Sequence, residues 1–284
     1  MRKISLTNGK LTVEILPDSG GAISVFRWMD SHRRSFDLLR PARESEITNR
    51  LAGAMSCIPV TPFATPGNQT AHQQAAGPVH ADLAEWTVQD ASNVRATLTL
   101  HKEAGASDSL FSNCQLLQRF ELGLDGLRIQ FTITNIGVRP ISARAGLRLR
   151  PDIRGACILR GTVPHIEKAD PAEDKPPTRA AMILSPAELA AGYRLAGQEL
   201  HVMLKHVRQE FRYEWPEDNL ALTVTPLQGF DFIGLDYNAE EQEIWLTPLS
   251  HMAPSLDGMT GGNQLMQGDS LSASLLLSAV PLSV

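Results

Sequence analysis

Cysteine is scarce in this chain. Cys57, Cys114 and Cys157 are the only three, and they form neither a CxxC pair nor a cluster with metal-ligand spacing. That argues against a disulfide scaffold or a zinc site and reads as three reduced thiols. A basic excess is also missing. With 26 Lys and Arg against 31 Asp and Glu, the net charge is −5, which gives no sequence-wide footprint for nucleic acid. No apolar run approaches the ~20 residues needed to cross a bilayer. The basic start Met1-Arg2-Lys3 is followed by Asn8, Lys10 and Glu14, which interrupt any signal-peptide core. We therefore read a cytoplasmic protein with neither membrane nor nucleic-acid partners. Several catalytic signatures are absent: there is no HExxH and no GxSxG. Gly258-Met259-Thr260-Gly261-Gly262 lacks the Lys of a phosphate-binding loop. No catalytic metal and no cofactor are expected.

What the chain does have is alternation. Leu11, Val13 and Ile15 alternate with Thr12 and Glu14, and Ala96, Leu98 and Leu100 alternate with Thr97 and Thr99. Period two marks half-buried strands, because successive strand side chains point to opposite faces. Residues 120–134 read as a hairpin. Phe120, Leu122 and Leu124 lead into an Asp125-Gly126 turn, and Leu127, Ile129, Phe131 and Ile133 lead out. Further strands are expected at 141–149, 211–213, 220–225, 230–235, 243–246 and 271–279, with turns at 216–219 and 261–263. Helix is confined to one strong start, where Ser185 caps, Pro186 fits the first turn and Glu188 reaches back, ending near Gly192. Residues 168–178 read as an exposed loop. The pattern predicts an all-β fold, a large antiparallel β-sandwich, as one domain over residues 1–284.

Several segments, in order along nearly the whole chain, resemble the aldose 1-epimerase (galactose mutarotase-like) family. Leu16-Pro17-Asp18-Ser19-Gly20-Gly21 is similar to the family's first strand and paired glycines. Asp37-Leu38-Leu39-Arg40-Pro41 is similar to its DLLRP, and residues 56–64 resemble its proline-rich PvtPFA segment. Val79-His80-Ala81-Asp82 with Glu85-Trp86, the stretch from Gly123 to Asn135, and Gly146-Leu147-Arg148-Leu149-Arg150-Pro151 resemble three further motifs. Pro248-Leu249-Ser250-His251 is similar to the piece after the catalytic Glu-Pro, and Gly268-Asp269-Ser270 to the last turn.

The resemblance implies interconversion of sugar anomers, in which an acid protonates the ring oxygen while a base takes the proton of the anomeric hydroxyl. It also implies a His acid, a Glu base, and a second His, an Arg and an Asp that hold the sugar. The second His matches His80. The acid falls on Arg150, which cannot act as a proton donor at ordinary pH, and the base falls on Thr247. The Asn and Arg positions hold Thr65 and Pro66, and the Asp falls near His201. Three readings stay open. One is a protein that binds or senses a small-molecule sugar, with mutarotation reduced or lost. In that case Arg150 favours an acidic sugar, unless it pairs internally with Asp152 or Asp236. The second is an active epimerase with relocated groups: His80, His201 and His251 as candidates, and Asp82, Asp236 or Glu243 as bases. The third is a non-catalytic structural module. His80, Arg150 and Thr247 are expected to line one cleft, with Phe63 and His251 at its rim. Trp86 is expected near the pocket and Trp245 in the core.

Overall fold

A computed structural model describes residues 1–42, 54–57, 59–62, 79–80, 85–100, 114–168, 184–251 and 263–282, with the backbone alone at 55–57, 59–62 and 79–80. Two large sheets and one small one carry the described strands, and these strands pair antiparallel. The ten-stranded sheet runs Ile4–Thr7, Leu11–Leu16, Ala22–Met29, Ala54–Cys57, Gly146–Leu149, Glu243–Leu249, Phe232–Asn238, Leu200–Lys205 and His165–Lys168, with Ser35–Leu39 paired on the side to Ala22–Met29. The nine-stranded sheet centres on Ser270–Pro281, between Leu220–Gln228 and Leu127–Asn135. A four-stranded sheet joins Asn263–Leu265, Ile141–Ala143, Pro59–Pro62 and Val79–His80. This is the expected antiparallel β-sandwich.

Alternation determines which side of each sheet is buried. In the hairpin, Leu116, Phe120, Leu122, Leu127, Ile129, Phe131 and Ile133 are all buried. The two strands, Cys114–Leu122 and Leu127–Asn135, pair from Cys114↔Asn135 to Leu122↔Leu127. The turn is longer than the two residues expected. Gly123 donates its N–H to Gly126 O at 2.9 Å, so Leu124 sits at the tip, 95% exposed, instead of joining the apolar row. Gly126 alone supplies the positive φ, at 146°. One cluster of buried side chains takes residues from both large sheets, Leu147, Leu149, Ile233, Leu235, Ile244 and Leu246 from one and Phe120, Leu222 and Leu277 from the other.

Helix Pro186–Ala191 forms as its capping signals predict. Ser185 Oγ accepts from Glu188 N at 3.3 Å, and Glu188 Oε2 accepts from Ser185 N at 2.9 Å. The single strand expected over 141–149 is two strands in two sheets. Ile141–Ala143 belongs to the four-stranded sheet and Gly146–Leu149 to the ten-stranded one. Apolar side chains continue across the break, Ala143 and Ala145 both being buried, so composition carries no mark of it. The turn expected at 261–263 lies outside the described residues except for Asn263, which begins a strand.

Candidate functional site

Every second residue of the central strands points away from the core, and these residues share one face of the ten-stranded sheet. Across Glu243–Leu249, Ile244 and Leu246 are fully buried in the core cluster, while Trp245 and Thr247 turn the other way. Along Gly146–Leu149 the same parity sends Leu147 and Leu149 inward and sets Arg148 and Arg150 on the other face. Register extends the face across its neighbours. Trp245 lies opposite Asp236, which lies opposite His201, and Thr247 lies opposite Gly234, which lies opposite Met203. Arg150, Thr247 and His201, three positions singled out from sequence, thus share one face of one sheet.

The electrostatics of that face are largely settled within the protein. Arg150 is 5% exposed, and its Nε lies 2.6 Å from Glu243 Oε1. The ion pair seen among the described residues is with Glu243, not the expected Asp152 or Asp236; Glu243 is two residues from Trp245 on the adjacent strand and shares its face. Trp245 carries cations on its ring: Arg148 Cζ is 4.1 Å and Arg150 Cζ 5.4 Å from the centroid. Among the described residues no carboxylate forms an ion pair with Arg148. At one end of the face, a cavity of about 390 Å³ is lined by Arg40, Arg150, Asp152, Gln242 and Glu243, within the size range of small-molecule sites. Burial pushes the Asp152 carboxyl up, against the pull of Arg154.

His201 and Asp236 form the titratable pair of the face, with His201 Nδ1 3.2 Å from Asp236 Oδ1 and His201 Nε2 4.0 Å from Glu199 Oε2. The hydrogen bond to Asp236 raises the His201 pKa above its ordinary value, against a smaller lowering by burial. Beside this pair, Gly234 leaves a low spot. A methyl group there would sit in ordinary contact with both neighbours, 3.6 Å from Thr247 Cβ and 3.7 Å from Met203 Cε, so its absence leaves a gap of that size between them.

The other candidates lie elsewhere. His251 follows the far end of the Thr247 strand, where Ser250 N donates to Ala145 O at 2.8 Å. Burial and then the nearby Arg144 push its pKa down to about 4. His80 is described only by its backbone. It pairs with Pro59 in the small sheet, where Val79 pairs with Val60 and Val60 with Ala143, so it sits level with the Arg144 end. Phe63 and Asp82, with Thr65 and Pro66, lie outside the described residues. Trp86 is a correction: it is fully buried in the core cluster, its backbone N–H bonded to Pro17 O at 2.9 Å, and cannot meet a ligand. Trp245 is buried as expected, at 6% exposure, but strand parity sets it on the face opposite Ile244 and Leu246, under Arg148. Counting in twos from Thr247 puts Glu243, one of the candidate bases, on the same face.

Among the described residues no group of three or more His, Cys, Asp or Glu is placed to hold a metal, and no helix is long and apolar enough to cross a membrane. No family model matches the sequence, and no curated protein matches it. Solved structures do match. A candidate aldose 1-epimerase from Escherichia coli K12 superposes with a TM-score of 0.76 at 16% identity, covering 99% of each chain. An aldose epimerase homologue from C. elegans gives 0.74 at 13% identity, also covering 99% of each chain. A galactose mutarotase-like protein from Clostridium acetobutylicum gives 0.71 at 13%, covering 98% of this chain and 95% of that one. The chain therefore has the fold of the aldose 1-epimerase-like and galactose mutarotase-like proteins.

Proposed function

We propose that the chain belongs functionally with the aldose 1-epimerase-like proteins and binds a small sugar, free or acidic, on the sheet face described above. Mutarotation through positions 150 and 247 is lost. The observation that carries this reading is the state of Arg150. It occupies the position where the resemblance places the acid, yet it is a buried cation held 2.6 Å from Glu243. A guanidinium so held does not donate a proton, and the threonine hydroxyl at position 247 is no base at neutral pH. The sugar-related names of the superposing structures support the substrate class. The ion pair also moves the preference for an acidic ligand away from Arg150. Among the described residues of this face, Arg148, part-exposed over Trp245, is a cation available to a carboxylate or phosphate.

Titration calorimetry with glucose, galactose, glucose 6-phosphate and glucuronate tests binding, and polarimetry on fresh α-glucose tests turnover. Tighter binding of the acidic sugars and a rate well below the ~10 s⁻¹ typical of enzymes are expected. No binding by any of the four, or a rate above that value, overturns the reading.

A further inference from the structure

We infer that His201 and Asp236 form a relocated proton-transfer pair, and that whatever anomer exchange the protein accelerates runs through them. This rests on the sugar-binding reading above. The pair occupies neither of the positions at which the resemblance places the acid and base. It faces the same side as Thr247 and Arg148, because Asp236 lies opposite Trp245 in register and His201 lies opposite Asp236. Both groups are reachable, with side chains 18% and 47% exposed.

The spacing suits the chemistry. A cyclic aldose carries its ring oxygen and its anomeric hydroxyl on one carbon. An acid and a base held side by side can therefore serve both oxygens of a single bound sugar. His201 Nδ1 is 3.2 Å from Asp236 Oδ1, which holds the ring beside the carboxylate and leaves Nε2 as the donor. Gly234, two residues along from Asp236, places no side chain of its own beside them. His201, as imidazolium, gives the proton of the nitrogen not held by Asp236 to the ring oxygen as the bond from that oxygen to the anomeric carbon breaks. Asp236 takes the hydroxyl proton as the aldehyde forms. Rotation about the adjacent carbon–carbon bond presents the other face, and the two transfers reverse. No proton is gained or lost overall, and no co-reactant is needed.

The charge environment favours the acid form of His201. Asp236 faces it from the neighbouring strand and Glu199 from its own. Farther along the face, Lys205 pairs with Glu167 and Arg150 with Glu243, so those charges are compensated. Arg148 stands three strands away over Trp245. The imidazolium donates only while charged, so exchange falls as pH rises through a His201 pKa that Asp236 holds above 6.5.

The test measures binding and anomer exchange on the same samples. Glucose, galactose, glucose 6-phosphate and glucuronate are titrated by calorimetry. Any that bind are followed by magnetisation-transfer NMR from pH 5 to 9. The expected result is exchange above the buffer rate, lowered about 100-fold or more by His201→Gln and by Asp236→Asn, with affinity retained. In Asp236→Asn the alkaline limb of the remaining activity moves to lower pH, a shift that a purely structural role would not produce. If a variant fails to fold, the alkaline limb of the unaltered protein decides: a limb above 6.5 supports the pair, and a pH-independent rate overturns it. A sugar that binds without accelerated exchange, or exchange that both variants keep, overturns this inference and leaves the binding reading standing. No binding by any of the four overturns both.

Discussion

Arg150 and Glu243 are joined across adjacent strands, Nε to Oε1 at 2.6 Å, with side chains only 6% and 13% exposed. Two charges so far removed from water are tolerable together and costly apart, because each loses its hydration whether or not the other is present. Arg150→Met should therefore destabilise the protein by about 3–5 kcal/mol, since Glu243 is left as an uncompensated buried charge. Arg150→Met combined with Glu243→Leu should recover most of that loss. Urea denaturation of both variants checks this, and a single variant as stable as the parent would mean that the pair is solvated.

Arg148 is the better place to probe ligand charge. Arg148→Met keeps the stack on Trp245 and removes the cation. Affinity for glucose 6-phosphate or glucuronate should fall about 10- to 150-fold, the equivalent of ~1.5–3 kcal/mol for a charge-assisted bond, with glucose little changed. Calorimetry decides, and an equal loss for the neutral sugar would show that Arg148 contributes packing instead.

His251 makes stability depend on pH. Its folded pKa is pushed down to about 4 from an unfolded value of 6.5. The unfolded chain therefore takes up a proton in a range where the folded chain does not. Stability from this group is complete above 6.5 and declines as pH falls from 6.5 toward 4. After allowing for partial exposure, the loss should be on the order of 2 kcal/mol. Denaturation midpoints at pH 7 and pH 4.5 should differ less in His251→Gln than in the parent protein; an identical difference in the two would assign the effect to other groups.

Gly126 tolerates no side chain. Its φ is 146°, and a Cβ there would lie 2.2 Å from the backbone oxygen of Leu277. Backbone in mid-sheet cannot yield as a side chain would, so Gly126→Ala should cost at least about 2 kcal/mol. Gly268→Ala, at a positive φ of 85° with nothing within 4 Å of its Cβ, should cost only the backbone strain. Thermal melts of the two variants compare them directly.

The local signals in the sequence were legible wherever one physical rule decided the outcome. The Ser185 and Glu188 cap, the alternating rows of 120–133 and the strands at 220, 243 and 271 all formed as their patterns require. Rules that depend on partners were not legible. Nothing in residues 141–149 distinguishes one strand from two, because the break at Arg144 and Ala145 is a change of sheet and not of composition. Trp86 was not legible for a related reason: motif proximity favoured the pocket, whereas its neighbours in the core cluster decide its burial; Trp245 is buried as expected, on the face opposite Ile244 and Leu246. The Glu243 partner of Arg150 was within reach of the same counting in twos, once the neighbouring strand was known.

The order of strands in the ten-stranded sheet bears on how this face comes into being. Gly146–Leu149 lies between Ala54–Cys57 and Glu243–Leu249, partners about ninety residues away in either direction, and such distant closures make folding slow. No short stretch of the chain can assemble the face by itself. A sugar seated there would bridge segments that only the finished fold brings side by side. Its binding should retard amide exchange at Gly146–Leu149, Leu200–Lys205 and Glu243–Leu249 together, a joint response that a ligand held by one loop could not produce.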